Sequence, residues 1–301
     1  MKILIKTPRN TSLALTLGLT LGLGALFLQA AASAADKDAT DWQRWAKHNP
    51  DSNTQIDYSA WKTFTDEFGA GQGETGALDY LWVKNRGVGD MNDLIYALQE
   101  VPVSKLSRDQ QLAYWLNLHN LESVRQSSYD YPFKDDSTRE FIVGEEWQEK
   151  TLTVEGNKLS LNEIEQNILF KQWPDARVVY GVYLPANSSP KLRHEPFSGD
   201  SVWQKLEARA RTYVNSGKAI QFRDGDLHVS ALYQWDGHSF VDAEGTLKDE
   251  LLIAHLKKYA QPELRKNLDK HNTIRASYFN WRLNTFNSGY DINQDRTGFG
   301  S

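Results

Sequence analysis

Apolar residues recur along the chain at two spacings, and the change from one to the other predicts its elements. Ser107 followed by Gln110 makes a capping box, which opens a helix where Leu112, Trp115, Leu116 and Leu118 mix with polar neighbours. Ser160 and Glu163 form a second capping box, followed by Ile164, Ile168 and Leu169 as an apolar stripe. Val202, Leu206, Ala210 and Tyr213 keep helical spacing over 202–214, and Leu247 to Tyr259 reads as another helix. Arg177 to Leu184 is a short apolar, β-branched and aromatic run that predicts a central strand. Ile220 and Phe222, then Asp224-Gly225, then Leu227 and Val229 predict a hairpin with a two-residue turn. Glycines 69, 71, 73, 76, 87 and 89 make Phe68 to Gly89 the least structured stretch, read as a surface loop inside one domain, with a linker as the alternative. The pattern predicts an α+β fold in a single domain, residues 35–301, with a helical N-terminal half, a small mixed β-sheet and a helical C-terminal part.

Composition narrows the picture. The 301 residues are 40% hydrophobic, with ten tryptophans and nine prolines, which argues against disorder, collagen and coiled coil. Absence of cysteine excludes disulfides, thiolate metal sites and a cysteine nucleophile. Residues 1–34 read as a secretory signal: Lys2, Lys6 and Arg9, an apolar stretch from Leu13 to Leu28, and an Ala32-Ser33-Ala34 cleavage site. The rival reading is an uncleaved anchor; nothing later is apolar and long enough to span a bilayer. Cleavage removes three basic groups and no acidic ones, taking the net charge from −5 to −8. An acidic chain whose basic residues are scattered among acids is a poor nucleic-acid partner. The expected location is outside the cytoplasm, in the periplasm.

Candidate chemistry collects in four places. Asn117 and Asn120 share a helix face, where asparagine is a poor helix former, so their amides serve either a neighbouring loop or a ligand. His119, between them, is expected to point elsewhere and lie half exposed. The loop from Leu184 to Arg193 offers Ser188 or Ser189 with His194 as base, but no G-x-S-x-G elbow surrounds them. Arg193 can hold a carboxylate or phosphate, or make an internal ion pair. His228, Asp236 and His238 carry metal-ligand chemistry without a supporting spacing, and Glu163 and Glu165 are two apart on a helix and do not face each other.

In order, Ile56-Asp57-Tyr58-Ser59-Ala60-Trp61, the run Leu106 to Asn120, Leu159 to Glu165, Pro190-Lys191-Leu192-Arg193, Ser230 to Trp235 and Tyr278 to Asn284 resemble the family of domain of unknown function 547, in its exported bacterial form. The resemblance covers about residues 42–285. It implies cysteines where this chain has Leu184 and Ser189, histidines at Gln166 and Val179, and aspartates at Asn280 and Ser239. A thiol nucleophile, its base and its orienting acid need those side chains. The alternative is that the family's groups were structural and these changes are neutral repacking.

The expectation is therefore an exported binding or accessory protein without catalytic residues, metal or cofactor, taking a small polar ligand or a protein partner. Its candidate binding residues are Asn117, Asn120, Glu165, Ser189, Arg193, His194, Trp235 and Trp281. The rival is a hydrolase or transferase using Ser189, His194 and Glu165, and a third reading is a structural subunit.

Overall fold

The computed structural model describes residues 42–71, 76–235, 239–242, 244 and 246–291. The expected signal segment (residues 1–34), Gly73, Asp236 and His238 lie outside them. The helices of seven or more residues are α1 (Ser59–Phe68), α2 (Val88–Gln99), α3 (Arg108–Asp130), α4 (Val202–Val214), α5 (Asp249–Tyr259) and α6 (Pro262–Leu268). Strands β1 (Leu152–Val154) and β2 (Asn157–Leu159) form one antiparallel ribbon. A second sheet joins β3 (Ile220–Arg223), β4 (Asp226–Ser230) and β5 (Ala276–Tyr278), antiparallel between the first two and parallel between the last. This is an α+β architecture around one apolar core.

Both capping boxes form. At the head of α3, Ser107 Oγ accepts from the Gln110 N–H while Gln110 Oε1 accepts from the Ser107 N–H. Ser160 and Glu163 repeat the arrangement. The Asp224-Gly225 turn has positive φ at both positions, 53° and 85°, as a tight hairpin turn requires. Helix α4 runs over Val202–Val214, as its periodicity predicts.

Helix α3 is not amphipathic. Every residue from Gln111 to Ser128 is buried, so α3 is a central rod enclosed on all sides. Trp115 meets Trp45 and Tyr114 edge-on, each at 5.0 Å between ring centroids. Polar residues of α3 are consequently buried too and must find partners inside the protein. His119 is among them: it is fully buried, not half exposed.

The expected central strand is a 3-10 turn, Val178–Gly181, followed by an extended segment. No strand among the described residues pairs with it. The Asn120 side chain takes the place of one, donating to the Gly181 carbonyl at 2.9 Å and accepting from the Tyr183 N–H at 2.8 Å. Gly181 is wedged between α3 and α4, where a Cβ would come within 2.8 Å of both Leu116 and Leu206. The expected loop from Phe68 to Gly89 also differs. Asp79 caps a one-turn helix at Tyr80–Trp82, which runs through a π-helical turn at Val83–Gly87 into α2. The glycine there serves packing, since a Cβ on Gly87 would strike the Phe64 and Phe68 rings.

The chain's last described stretch laces distant loops together. Besides β5, it forms bridges from Arg282 to Ser137, Leu283 to Ala186 and Thr285 to Leu78.

His255 on α5 lies flat against Tyr180, with 5.8 Å between ring centroids, and its Nε2 shares a 2.8 Å hydrogen bond with the Tyr180 hydroxyl. Burial, then the Lys258 ammonium, push the imidazole pKa from 6.5 down to about 4. The unfolded chain therefore takes up this proton before the folded one does. The resulting stability is fully present above pH 6.5 and is lost as pH falls towards 4, by about 2 kcal/mol. Melting temperatures at pH 7 and pH 4.5 should differ less in His255→Gln than in the parent protein; an equal difference would exclude this origin.

Candidate functional site

The two asparagines of α3 are clamps. Asn117 Nδ2 donates to the Phe197 carbonyl at 2.8 Å, and its Oδ1 accepts from the Phe197 N–H at 2.9 Å. Asn120 does the same for Gly181 and Tyr183. Each amide thus fixes a stretch of irregular backbone, the two stretches flanking the 184–193 loop. That loop is held from within as well. Ser189 Oγ accepts from the Leu184 N–H at 2.8 Å and donates to the Pro190 carbonyl at 3.1 Å. Ser188 Oγ accepts from the Asn280 N–H at 2.8 Å. Among the described residues His194 is a partner of neither serine, and its buried Nδ1 closes no hydrogen bond.

Cations gather on the outer side of these clamps. Arg193 from the loop and Arg209 from α4 border a narrow recess with Tyr58, Trp61, Asn117, Asn120 and Phe197. Its accessible volume is about 10 Å³, close to that of one water molecule. Tyr58 is 8% exposed, and its hydroxyl closes no hydrogen bond among the described residues. The Arg209 guanidinium sits 4.1 Å above the Phe197 ring, whose backbone Asn117 clamps. Burial and the neighbouring Arg193 charge both hold Arg209 below its ordinary pKa range. Among the described residues Arg209 makes no ion pair, although Glu195, paired with Lys205 at 3.9 Å, borders the same recess.

A second pair stands beside the first. Lys218 donates to the Ser189 carbonyl at 3.3 Å, and burial, then Lys191, push its pKa down to about 8. In sequence these basic residues are dispersed among acids; the fold brings Lys191, Arg193, Arg209 and Lys218 to one face, a concentration the composition alone did not disclose.

The remaining candidates form a separate group. Glu165 lies in a π-helical turn, Ile164–Leu169, with its Oε2 3.4 Å from Nε2 of His119. Gln166 Nε2 donates to Glu165 Oε1 at 3.0 Å and to the Trp235 carbonyl at 3.3 Å. Trp235 and Trp281 pack together at 5.0 Å, with Phe279 closing the triangle at 4.6 Å from each. The Asn120 carbonyl oxygen accepts from Tyr183, so His119 Nδ1, 3.3 Å away, is the donor to it. His119 Nε2 and Glu165 Oε2 thus face each other, and neither atom closes a hydrogen bond among the described residues. Half-buried His228 sits in β4, and no cluster of three potential metal ligands occurs among the described residues.

The segment that supplies both clamps and both arginines has relatives. Residues 103–214 match the family model for proteins of unknown function, DUF547. The match supports membership in that family. No curated protein and no solved structure matches the chain. The DUF547 segment contains Asn117, Asn120, Glu165, Ser189, Arg193, His194 and Arg209, and it ends at the last residue of α4. Lys218, Trp235 and Trp281 lie beyond it. No helix among the described residues is long and apolar enough to cross a membrane.

Tyr58, Lys191, Arg209 and Lys218 were not singled out from sequence. Lys191 lies two residues from both Ser189 and Arg193 and was within reach. Arg209 reads as one more charge on a solvated helix face, and nothing local reveals that it packs on Phe197.

Proposed function

We propose that this chain is an exported, non-catalytic binding protein for a small polar ligand that carries an anionic group, seated between Arg193 and Arg209. The carrying observation is the apposition of two guanidiniums beside the unpartnered hydroxyl of buried Tyr58. An anion that accepts from both guanidiniums and from Tyr58 satisfies the hydroxyl with charge-assisted hydrogen bonds. Arginine suits this role because its planar fork bonds carboxylate and phosphate in pairs. The recess has room for about one oxygen atom of such a head, and the rest of the ligand lies outside it. The export part of the reading rests on the pattern of residues 1–34.

A hydrolase or transferase built on Ser189, His194 and Glu165 gains no support from the geometry. The Ser189 hydroxyl is engaged with backbone on both sides, and Glu165 faces His119, not His194. General-base activation needs a hydroxyl in hydrogen-bond reach of the base.

Thermal shift of the mature chain, residues 35–301, against acetate, phosphate and a set of organic acids tests the reading. A bound anion at 100 times its dissociation constant should add about 2.7 kcal/mol of stability. Arg209→Gln should leave the unliganded melting temperature within about 2 °C and abolish the shift. If no anion in the set moves the melting temperature of the parent protein, the reading fails.

A further inference from the structure

Lys218 stands where two openings meet. On one side it borders a recess with Lys191, Arg193 and Arg209, whose volume of about 20 Å³ has room for one or two oxygen atoms. On the other it borders an open groove of about 400 Å³, the volume of a small-molecule site, along which lie Asn187, Ser188, Gln221 and Asn280. The residue is half-buried in the turn before β3, and its ammonium gives one of three N–H donors to the Ser189 carbonyl at 3.3 Å. Burial, then the neighbouring Lys191 charge, disfavour the ammonium and bring its pKa down to about 8. An ordinary lysine is neutral in about one part per thousand at pH 7.5. Lys218 therefore holds far more of the free amine, the form that attacks a carbonyl carbon. Lys258, exposed on α5, is the opposite case, since its hydrogen bond to Tyr259 holds its pKa above the ordinary range.

The parts follow one another as recess, amine and groove, and those of a 2-oxo acid as carboxylate, carbonyl and side chain. We propose that Lys218 captures a 2-oxo acid by reversible imine formation, its carboxylate held in the recess by Arg193 and Arg209 and its side chain lying in the groove. This deepens the function proposed above and rests on it. The lysine nitrogen bonds to the carbonyl carbon, the carbon–oxygen bond breaks, and the oxygen leaves as water. Counted from the ammonium, two of its three hydrogens depart in that water and the third stays on the iminium. Charge is conserved, no oxidant or reductant takes part, and hydrolysis reverses the step. Lys191 favours the free amine before the ligand arrives, and the carboxylate then stabilises the positive iminium beside it. The arginine forks also fix the carbonyl carbon, one bond from the carboxylate, within reach of the nitrogen.

Reductive trapping tests the proposal. The mature protein is incubated with cyanoborohydride and either pyruvate or acetone, a ketone of the same size without the carboxylate, and each modified lysine is quantified by mass spectrometry of chymotryptic peptides. At pH 7.5 pyruvate should label Lys218 about tenfold or more faster than Lys258. Acetone should show a smaller ratio, and acetate should suppress the pyruvate label at Lys218. Arg209→Gln should lower the pyruvate ratio to that of acetone, and Lys191→Gln should move the pH midpoint of Lys218 labelling upwards. Circular dichroism reports whether each variant is folded; the labelling ratios of the parent protein carry the test if one is not. Labelling of Lys218 no faster than Lys258, equal ratios for the two ketones, or an adduct on Lys191 in place of Lys218 each overturns the proposal. If acetate still raises the melting temperature in that case, the single-anion reading stands; if acetate has no effect, that reading falls with it.

Discussion

Glu122→Ala is expected to destabilise the protein by about 3–5 kcal/mol, the largest loss for any single side chain outside the apolar core. Glu122 is fully buried on α3, and its Oε1 accepts from Arg125 Nη2 at 2.8 Å, Gln126 Nε2 at 2.8 Å and Thr151 Oγ1 at 2.6 Å. Without it, the Arg125 guanidinium stays buried with Asn92 Oδ1, 3.2 Å from Nη1, as its remaining partner. The cost arises from that orphaned charge more than from the bonds themselves. Glu122→Leu combined with Arg125→Met should therefore recover most of the loss, since a buried ion pair replaced by apolar groups of similar volume is close to neutral. Urea denaturation of the single and paired variants decides the matter. A paired variant as unstable as Glu122→Ala would place the cost in packing and not in charge.

Asn117→Asp should cost about 2–4 kcal/mol, through one change of polarity. Asparagine presents a donor to the Phe197 carbonyl and an acceptor to the Phe197 N–H. Aspartate keeps the second contact and turns the first into oxygen facing oxygen, inside a region where unpaired polar groups are expensive. The damage should extend to ligand binding, because Phe197 carries the ring on which Arg209 rests. A lowered melting temperature together with weakened anion binding is the expected result. If binding weakens while the unliganded melting temperature is unchanged, the amide is a ligand group and the clamp assignment is wrong.

These two residues mark the boundary of what the sequence discloses. Capping boxes at Ser107 and Ser160, the hairpin at Asp224-Gly225 and the limits of α4 are local, because a side chain and a backbone group three residues away decide them. The Val178–Gly181 turn is not local. Its residues favour a strand, but strand formation needs a neighbour, and the space beside it belongs to α3, whose Asn120 does the pairing instead. Burial of α3 was hidden for a similar reason. Its polar residues suggest a wet face until their partners at Phe197, Gly181 and Thr151 are known. Of the site, Arg193 was legible from its loop. Arg209 and Lys218 were not, since it takes the folded chain to bring α4 and the turn before β3 against the 184–193 segment.

The returning strand β5 and the bridges that follow it have a consequence for how the molecule is completed. Tyr278, Phe279 and Asn280 arrive with the same segment that ties Ser137, Ala186 and Leu78 into place. A chain lacking these residues loses strand β5 and the three bridges that follow it. A product that stops before Ala276 should therefore be less stable than the 301-residue chain, because those long-range ties are gone.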